Sequence, residues 1–160
     1  MASAAEKAVE ILQQQVGKPD GHGEWLTVDQ DRINLFADAT LDHQFIHIDP
    51  EKSAKLSPYK VTIAHGFLTL SLLPHLVASI PQQNPQAFEG VVMGVNYGLD
   101  KVRFPNPVKV DSKVRAHREL AEVTLINENT IQVKNKITVE IDGESKPGCV
   151  AEFLTRMIFG

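Results

Sequence analysis

The chain has 160 residues, of which 42% are hydrophobic and 22% charged, and its formal net charge is −4. This composition is ordinary for a soluble globular domain and excludes a disordered chain. The net charge argues against nucleic acid as a partner, because phosphate binding needs a concentrated basic surface. We expect one domain, 1–160, in which no apolar run is long enough to span a bilayer and residues 1–16 do not form a signal peptide.

The compartment is indicated by cysteine usage. Cys149 is the only cysteine, so no internal disulfide can form, and a reducing, cytoplasmic environment is expected. Cys149 lies in an alternating apolar run near the C-terminus, which favours a buried packing role over a nucleophilic one.

The N-terminal part predicts helices separated by breakers. Residues 3–16 are rich in helix-forming types, and Ser3 followed by Glu6 is a capping-box pattern. We expect an N-terminal helical extension over about 1–16. A stretch rich in glycine and proline, 17–23, then breaks the chain, and residues 24–28 predict a short strand.

A second helix is predicted from Thr27 and Gln30, which form another capping-box pattern, to about Ala39. Residues 40–49 have no regular period and predict a loop. Asp49 followed by Pro50 is typical of a helix start, so a short helix is expected through about residue 56.

The most apolar segment is 65–80. Apolar residues occupy nearly every face, which predicts a helix buried on most sides, and Pro74 predicts a kink. The second half of the chain alternates apolar and polar residues, as antiparallel strands do. A helix-rich half followed by such strands indicates an α+β domain, with the sheet wrapped around helix 65–80.

Polar residues that could carry chemistry concentrate around 42–49 and at 65–66. The set comprises Asp42, His43, His47, Asp49, His65 and Gly66. A carboxylate and an imidazole that converge on one water molecule can hydrate a double bond, since one group removes a proton from water while the other donates one to carbon. The alternative is that Asp42 caps a turn and His47 is solvated. The apolar residues flanking His47 favour the catalytic interpretation, because burial of polar groups is costly unless they are paired.

Gly66 stands at the start of the predicted apolar helix. A backbone amide there could stabilise the enolate oxygen of a thioester, and glycine allows close approach of a ligand. The alternative is a plain helix-start glycine. A metal site is not expected, because His43 and His47 would share one face only in a helix, and the stretch predicts a loop. Neither a serine-hydrolase motif nor a dinucleotide-binding glycine fingerprint is present.

Two stretches carry a family resemblance. Phe36-Ala37-Asp38-Ala39-Thr40-Leu41-Asp42-His43-Gln44-Phe45-Ile46-His47-Ile48-Asp49 and Ile63-Ala64-His65-Gly66-Phe67-Leu68 resemble the hydratase motif of the MaoC-like dehydratases. That family includes the (R)-specific enoyl-CoA hydratases, and the nodulation-protein-N-like branch is the most similar. Val102-Arg103-Phe104-Pro105-Asn106-Pro107-Val108 resembles the strand and turn that follow.

The resemblance implies a hot-dog fold, an antiparallel sheet wrapped around a central helix, and a homodimer. It implies Asp42 and His47 as catalytic residues and Gly66, with His65 beside it, as the oxyanion and substrate-binding position. The implied reaction is reversible syn addition of water to a trans-2-enoyl thioester, carried by coenzyme A or acyl carrier protein. No metal or redox cofactor is implied, since coenzyme A belongs to the substrate.

The chain departs from the family pattern Gly-Asp-x-Asn-Pro-x-His at three positions, where it has Leu41, Gln44 and Phe45. These departures bear on the shape of the pocket more than on the type of reaction. Two other functions share the fold and ligand: a hot-dog acyl-CoA thioesterase, and a non-catalytic acyl-thioester-binding protein.

Overall fold

A computed structural model describes all residues, 1–160. Six strands form one antiparallel sheet in the order β1-β4-β5-β6-β3, and β2 also pairs with β4. The strands are β1 Pro19–His22, β2 Leu26–Val28, β3 Val91–Arg103, β4 Ser112–Asn127, β5 Thr130–Ile141 and β6 Cys149–Phe159. The sheet is not closed, because β3 pairs only with β6 and leaves a free edge.

The helices precede the long strands. They are α1 Ala4–Gln13, α2 Gln30–Thr40, α3 Phe45–Ile48, α4 Pro50–Leu56, α5 Gly66–Ser71 and α6 Leu73–Ala78, with a 3-10 helix at Pro85–Phe88. None of them combines the length and the hydropathy that crossing a bilayer would require. The predicted α+β class is confirmed.

Three helices begin at a residue whose side chain caps the first turn, and the capping residue was predicted correctly for two of them. The Ser3 hydroxyl accepts the Glu6 amide and the Glu6 carboxylate accepts the Ser3 amide, which is the complete capping box. Asp49 caps α4 by accepting the Lys52 amide. The predicted capping box at Thr27 is wrong, because Asp29 caps α2.

The apolar segment 65–80 forms two short helices rather than one kinked helix. The break at Leu72 stands two residues before Pro74, whose ring nitrogen cannot donate to the preceding turn. Leu68, Leu73 and Leu76 are buried against the sheet. The expectation of burial on most sides is wrong for a single chain: Phe67 is 67% exposed, because the open sheet covers only one face of the segment.

Two other local predictions are corrected. The stretch 17–23 contains strand β1, tied to β4 by the amides of Gly17 and Gly23, which donate to carbonyls of the neighbouring strand. The predicted loop 40–49 contains the single helical turn α3. In both places, hydrogen bonds to distant residues create structure that the local sequence does not favour.

The core has two parts. The larger lies between the α5–α6 segment and the inward side chains of the sheet, and the smaller lies between α1 and strands β4 to β6. Cys149 belongs to the larger part and is fully buried. Burial raises the pKa of its thiol to about 11, which confirms a packing role, since the reactive form of cysteine is the thiolate.

Candidate active site

The Asp42 loop, residues 41–44, joins α2 to α3. Leu41 ends α2 in the left-handed conformation, with φ at 64°. The chain turns there, and Asp42 follows on the exposed loop. The Asp42 carboxylate is exposed and accepts the Gln44 amide at 3.3 Å. Leu41 occupies the position where the resembled family pattern has glycine, the residue that adopts this conformation at least cost.

His47 lies on α3 and is buried. Its Nδ1 is 2.7 Å from the carbonyl oxygen of Ile63, which can only accept a hydrogen bond. Nδ1 therefore carries the proton in the neutral ring, and Nε2 presents a lone pair. A neutral imidazole with a free Nε2 is the form required of a general base.

The main chain around His47 is held from two sides. The Gln30 side-chain amide donates to the His47 carbonyl at 2.7 Å, and the Gln30 oxygen accepts the Thr62 hydroxyl. The Ile63 amide donates to the Ile46 carbonyl at 2.9 Å. Sequence reasoning missed Gln30 and Thr62, which lie 17 residues before and 15 after His47, and their spacing carries no local signal.

His65 directly precedes α5 and is only 2% exposed. Its Nε2 donates to the main-chain carbonyl of Asp42 at 3.0 Å. Its ring stacks on that of His47, with centroids 3.8 Å apart and planes inclined by 23°, and Phe36 packs beside it at 5.0 Å. The structure therefore brings the predicted pair and His65 together.

The three side chains converge. One oxygen or nitrogen atom from each of Asp42, His47 and His65 lies within 4.8 Å of the corresponding atoms of the other two. Two hydrogen bonds through one water molecule span up to about 5.6 Å, at about 2.8 Å each. A single water can therefore contact the carboxylate and the imidazole at the same time.

The pKa of His47 is lowered from its ordinary value. Burial is the largest cause, because it disfavours the charged ring; the hydrogen bond to the Ile63 carbonyl opposes it. The charge of His65 lowers the pKa further and that of Asp42 raises it. At neutral pH the His47 ring is consequently uncharged.

Two residues of the predicted polar set do not join the site. His43 pairs instead with Asp38 at 2.8 Å on the surface, and Asp49 is engaged in capping α4. The remaining three side chains offer metal-type ligands, but the two imidazole planes are stacked 3.8 Å apart, so an ion in the plane of one ring lies out of the plane of the other. The geometry suits a water molecule better than a tetrahedral metal.

Gly66 begins α5, and its amide has no backbone acceptor. A Cβ at this position would lie 3.0 Å from the Phe104 ring, so a side chain fits only if that ring shifts. Gly66 also lines a cleft of about 320 Å³, together with Ile63 and Phe104. A carbonyl entering this cleft could approach the free amide.

Comparison with known proteins identifies the family of the chain. The protein-family model described as "MaoC like domain" matches residues 12–141. The chain is 46% identical to 3-hydroxyacyl-thioester dehydratase Z of Mycobacterium tuberculosis, over 95% of this chain and 97% of that protein. It is also 46% identical to nodulation protein N of Rhizobium leguminosarum bv. viciae, over 90% and 87%.

A solved structure shares the fold. The (R)-hydratase from A. caviae superimposes with a TM-score of 0.61 at 22% identity, covering 84% of this chain and 93% of that one. The predicted hot-dog architecture, an antiparallel sheet against a central helical segment, is confirmed. The chain belongs to the MaoC-like dehydratase family, as the hydratase motif predicted.

Proposed function

We propose that this MaoC-like enzyme is an (R)-specific enoyl-CoA hydratase, a 3-hydroxyacyl-thioester dehydratase in the reverse direction. It adds water in syn fashion to a trans-2-enoyl thioester. The observation that carries the proposal is the convergence of the Asp42 carboxylate and the uncharged His47 ring within the span of one water.

In the forward direction, His47 Nε2 removes a proton from the shared water, and the oxygen attacks carbon 3 of the enoyl group. Asp42 accepts the other water proton in a hydrogen bond and so fixes the direction of attack. The same proton returns from His47 to carbon 2. Addition of both groups from one face gives the syn product.

Negative charge develops on the thioester oxygen during attack. The Gly66 amide is proposed to stabilise it, and the main chain of His65, the N-cap residue of α5, presents that amide at the substrate-binding position. One such donor typically contributes about two to three orders of magnitude in rate. The mechanism requires no metal or redox cofactor, and coenzyme A or acyl carrier protein enters only as part of the substrate.

The free edge of the sheet supports a homodimer. Strand β3 has apolar side chains that are 40% exposed or more, at Val92, Met93, Val95, Tyr97 and Leu99. Beside them lies a groove of about 380 Å³ between β3 and the α5–α6 segment. A second copy would cover this surface, since an apolar edge strand is a liability for a monomer.

Sedimentation tests the dimer. Val95→Glu is expected to shift the protein toward monomer, because it places a charge in the proposed interface. Leu125→Glu, at a site of similar exposure on β4, is the control and should leave the dimer intact. A wild-type monomer at micromolar concentration would contradict the proposal.

We place the enzyme in the cytoplasm, consistent with its single buried thiol.

Hydration of crotonyl-CoA, followed by loss of its ultraviolet absorbance, tests the reaction. A panel of enoyl-CoA chain lengths, with chiral analysis, should give the (R)-3-hydroxyacyl product. A thiol reagent in a parallel assay detects a thioesterase, which would release free coenzyme A. Binding without turnover across the panel would instead indicate a non-catalytic acyl-thioester-binding protein.

A further inference from the structure

One buried side chain touches both members of the catalytic pair. We propose that His65 is a positioning residue that holds the Asp42 main chain and the His47 ring in register over one water molecule. This inference rests on the proposed function, and it assigns the His65 ring a task separate from contact with substrate.

The first support is the hydrogen bond from His65 Nε2 to the Asp42 carbonyl. Asp42 is otherwise on an exposed loop, and its carboxylate bonds only to the Gln44 amide within that loop. The bond from His65 is therefore the tie between the Asp42 main chain and the buried part of the site. Loss of such a tie lets the carboxylate drift, and misplacement by about 1 Å can cost about 100-fold in rate.

The second support is the stacked ring. At 3.8 Å the His65 ring covers one face of His47, so it fixes the plane in which Nε2 points. The stack also keeps water from that face. Burial lowers the pKa of His47, and repulsion from a protonated His65 ring would lower it further, so both favour an uncharged base.

The third support is an unpaired atom. With Nε2 donating to the Asp42 carbonyl, Nδ1 of His65 is a bare acceptor, and it is buried without a hydrogen-bond partner. Packing alone does not account for an imidazole at this position, because an apolar ring would avoid the cost of an unsatisfied buried acceptor. The hydrogen bond that the opposite side of the ring donates to Asp42 does account for it.

Other ionisable groups near the pair are already engaged. The titratable groups whose charge acts on His47 are Asp42 and His65. On the adjoining elements, Asp38 of α2 pairs with His43, and Asp49 before α4 accepts the Lys52 amide. A change in the titration of His47 after substitution of His65 is therefore attributable to the stacked ring.

Three substitutions separate the two contacts. His65→Gln keeps a donor for the Asp42 carbonyl but removes the ring, His65→Phe keeps a ring but removes the donor, and His65→Ala removes both. We expect His65→Ala to lower kcat about 100-fold and each of the others about tenfold, with KM within about twofold. His43→Ala, in the same loop but outside the cluster, is the control and should stay within twofold.

Two readouts distinguish positioning from a merely structural role. In His65→Gln, the acid limb of the kcat/KM profile should move to higher pH, because His47 then gains a proton more easily. Nitrogen NMR of the His47 ring, without substrate, should show a mixture of tautomers in place of the single Nδ1-protonated form, because a ring released from the stack turns away from the Ile63 carbonyl that holds the proton on Nδ1. Circular dichroism checks folding, and if His65→Ala does not fold, the other two variants decide.

The proposal is overturned if folded His65→Ala keeps kcat within threefold of wild type. It is also overturned if the acid limb of the kcat/KM profile and the His47 tautomer both stay unchanged in folded His65→Gln. A wild-type enzyme that hydrates no enoyl thioester would defeat the proposed function instead. The NMR experiment would then still report whether His65 orients His47.

Discussion

The molecule contains two histidine clusters, each with two imidazole rings and a carboxylate, that differ in burial and in the way the carboxylate is paired. The site cluster consists of Asp42, His47 and His65. The sheet cluster consists of His22, Arg115, His117 and Glu140, on the side of β4 and β5 away from the larger core. Each has two neighbouring rings, a carboxylate and one ring whose Nδ1 contacts a backbone carbonyl.

The difference lies in burial and in how the carboxylate is used. In the sheet cluster, Glu140 bonds directly to His117 at 2.5 Å and to Arg115 at 2.7 Å, and the His117 side chain is 42% exposed. In the site cluster, the carboxylate bonds to neither ring, and both rings are buried. The carboxylate of the sheet cluster is occupied by His117 and Arg115, whereas Nε2 of the buried His47 makes no bond to a carboxylate and keeps its lone pair. Proximity of histidine and carboxylate is therefore insufficient for a base; an unspent acceptor in a buried ring is what distinguishes the site.

Substitution of the catalytic pair should have the largest effect. We expect Asp42→Asn and His47→Ala each to lower kcat/KM for crotonyl-CoA by at least about 100-fold, the usual worth of a positioned acid or base. His117→Ala, which removes an equivalent ring from the sheet cluster, should stay within about twofold. Equal losses from all three would mean that the comparison between the clusters is mistaken.

Alanine substitution of a close-packed glycine should reduce activity near the site cluster and stability near the sheet cluster. Gly66→Ala brings a Cβ to 3.0 Å from the Phe104 ring, which can move, so we expect about a tenfold loss of kcat/KM with little change in melting temperature. Gly23→Ala meets the Leu76 carbonyl oxygen at 2.7 Å, and backbone cannot move cheaply. That variant should lose about 1–3 kcal/mol of stability, as overpacked sites do, and little activity.

Phe104→Ala supplies the matched test of this explanation. In the Gly66→Ala background it removes the ring that the new methyl group contacts, so part of the activity should return. No recovery would indicate that the Gly66 methyl group obstructs the substrate directly. Steady-state kinetics and thermal melts are measured on the wild type, the two single variants and the double variant.

The sequence allowed prediction of the catalytic pair, Asp42 and His47, but not of the residues that hold the pair in place. Asp42 and His47 stand five residues apart in one motif, and Asp49-Pro50 and Ser3-Glu6 are local signals that specified helix starts. Strand alternation was likewise local, and it predicted the buried face of β5. Each of these features is encoded within about one turn of chain or a few strand residues.

The missed features depend on contacts between distant residues. The helical turn α3 exists because Gln30 and Ile63 hold its main chain, and neither pairing has a periodic signature. Strand β1 has the turn-forming composition Pro-Asp-Gly-His, yet it is ordered because the 16-residue strand β4 extends far enough to pair with it. Tertiary hydrogen bonding overrides local propensity in both cases.

Each cluster is preceded by one residue in the left-handed conformation, a leucine in one case and a glycine in the other. Substituting glycine for the leucine and alanine for the glycine should change the free energy of unfolding in opposite directions. Leu41 precedes Asp42 with φ at 64°, while Gly21 precedes His22 with φ at 87°. Leucine pays a steric penalty there and glycine does not. We expect Leu41→Gly to gain about 0.5–1 kcal/mol and Gly21→Ala to lose about 1 kcal/mol, measured by denaturant unfolding.

Neither substitution adds a clash that would confuse the result. Leu41 is 80% exposed, so its side chain contributes little burial, and a Cβ at Gly21 has no atom within 4 Å. Destabilisation by Leu41→Gly would show that flexibility of the Asp42 loop outweighs the relief of strain. Its kcat would then be expected to fall as well, because the loop positions the carboxylate.

The smallest expected effect is on the pH dependence of stability, to which His47 and Glu140 should contribute in separate pH ranges. The pKa of His47 is lowered from 6.5 in the folded protein, mainly by burial, so below pH 6.5 the unfolded chain binds a proton that the folded chain resists. Stability should therefore decline as pH falls from 6.5 through the folded pKa of His47. The pKa of Glu140 is lowered from 4.5, chiefly by its hydrogen bonds to Arg115 and His117, so its contribution is present above pH 4.5 and is lost as pH falls through the lowered value.

Melting temperatures from pH 8 to pH 4 separate the two contributions. His47→Gln should flatten the dependence in the window just below pH 6.5 and leave the region below pH 4.5 unchanged, while Glu140→Gln should do the reverse. If His47→Gln flattens neither window, the ring is not held uncharged by burial, and its assignment as the base loses its electrostatic support. If instead both variants flatten the same window, the two clusters titrate as one network, and the distinction between a buried base and a satisfied surface network fails.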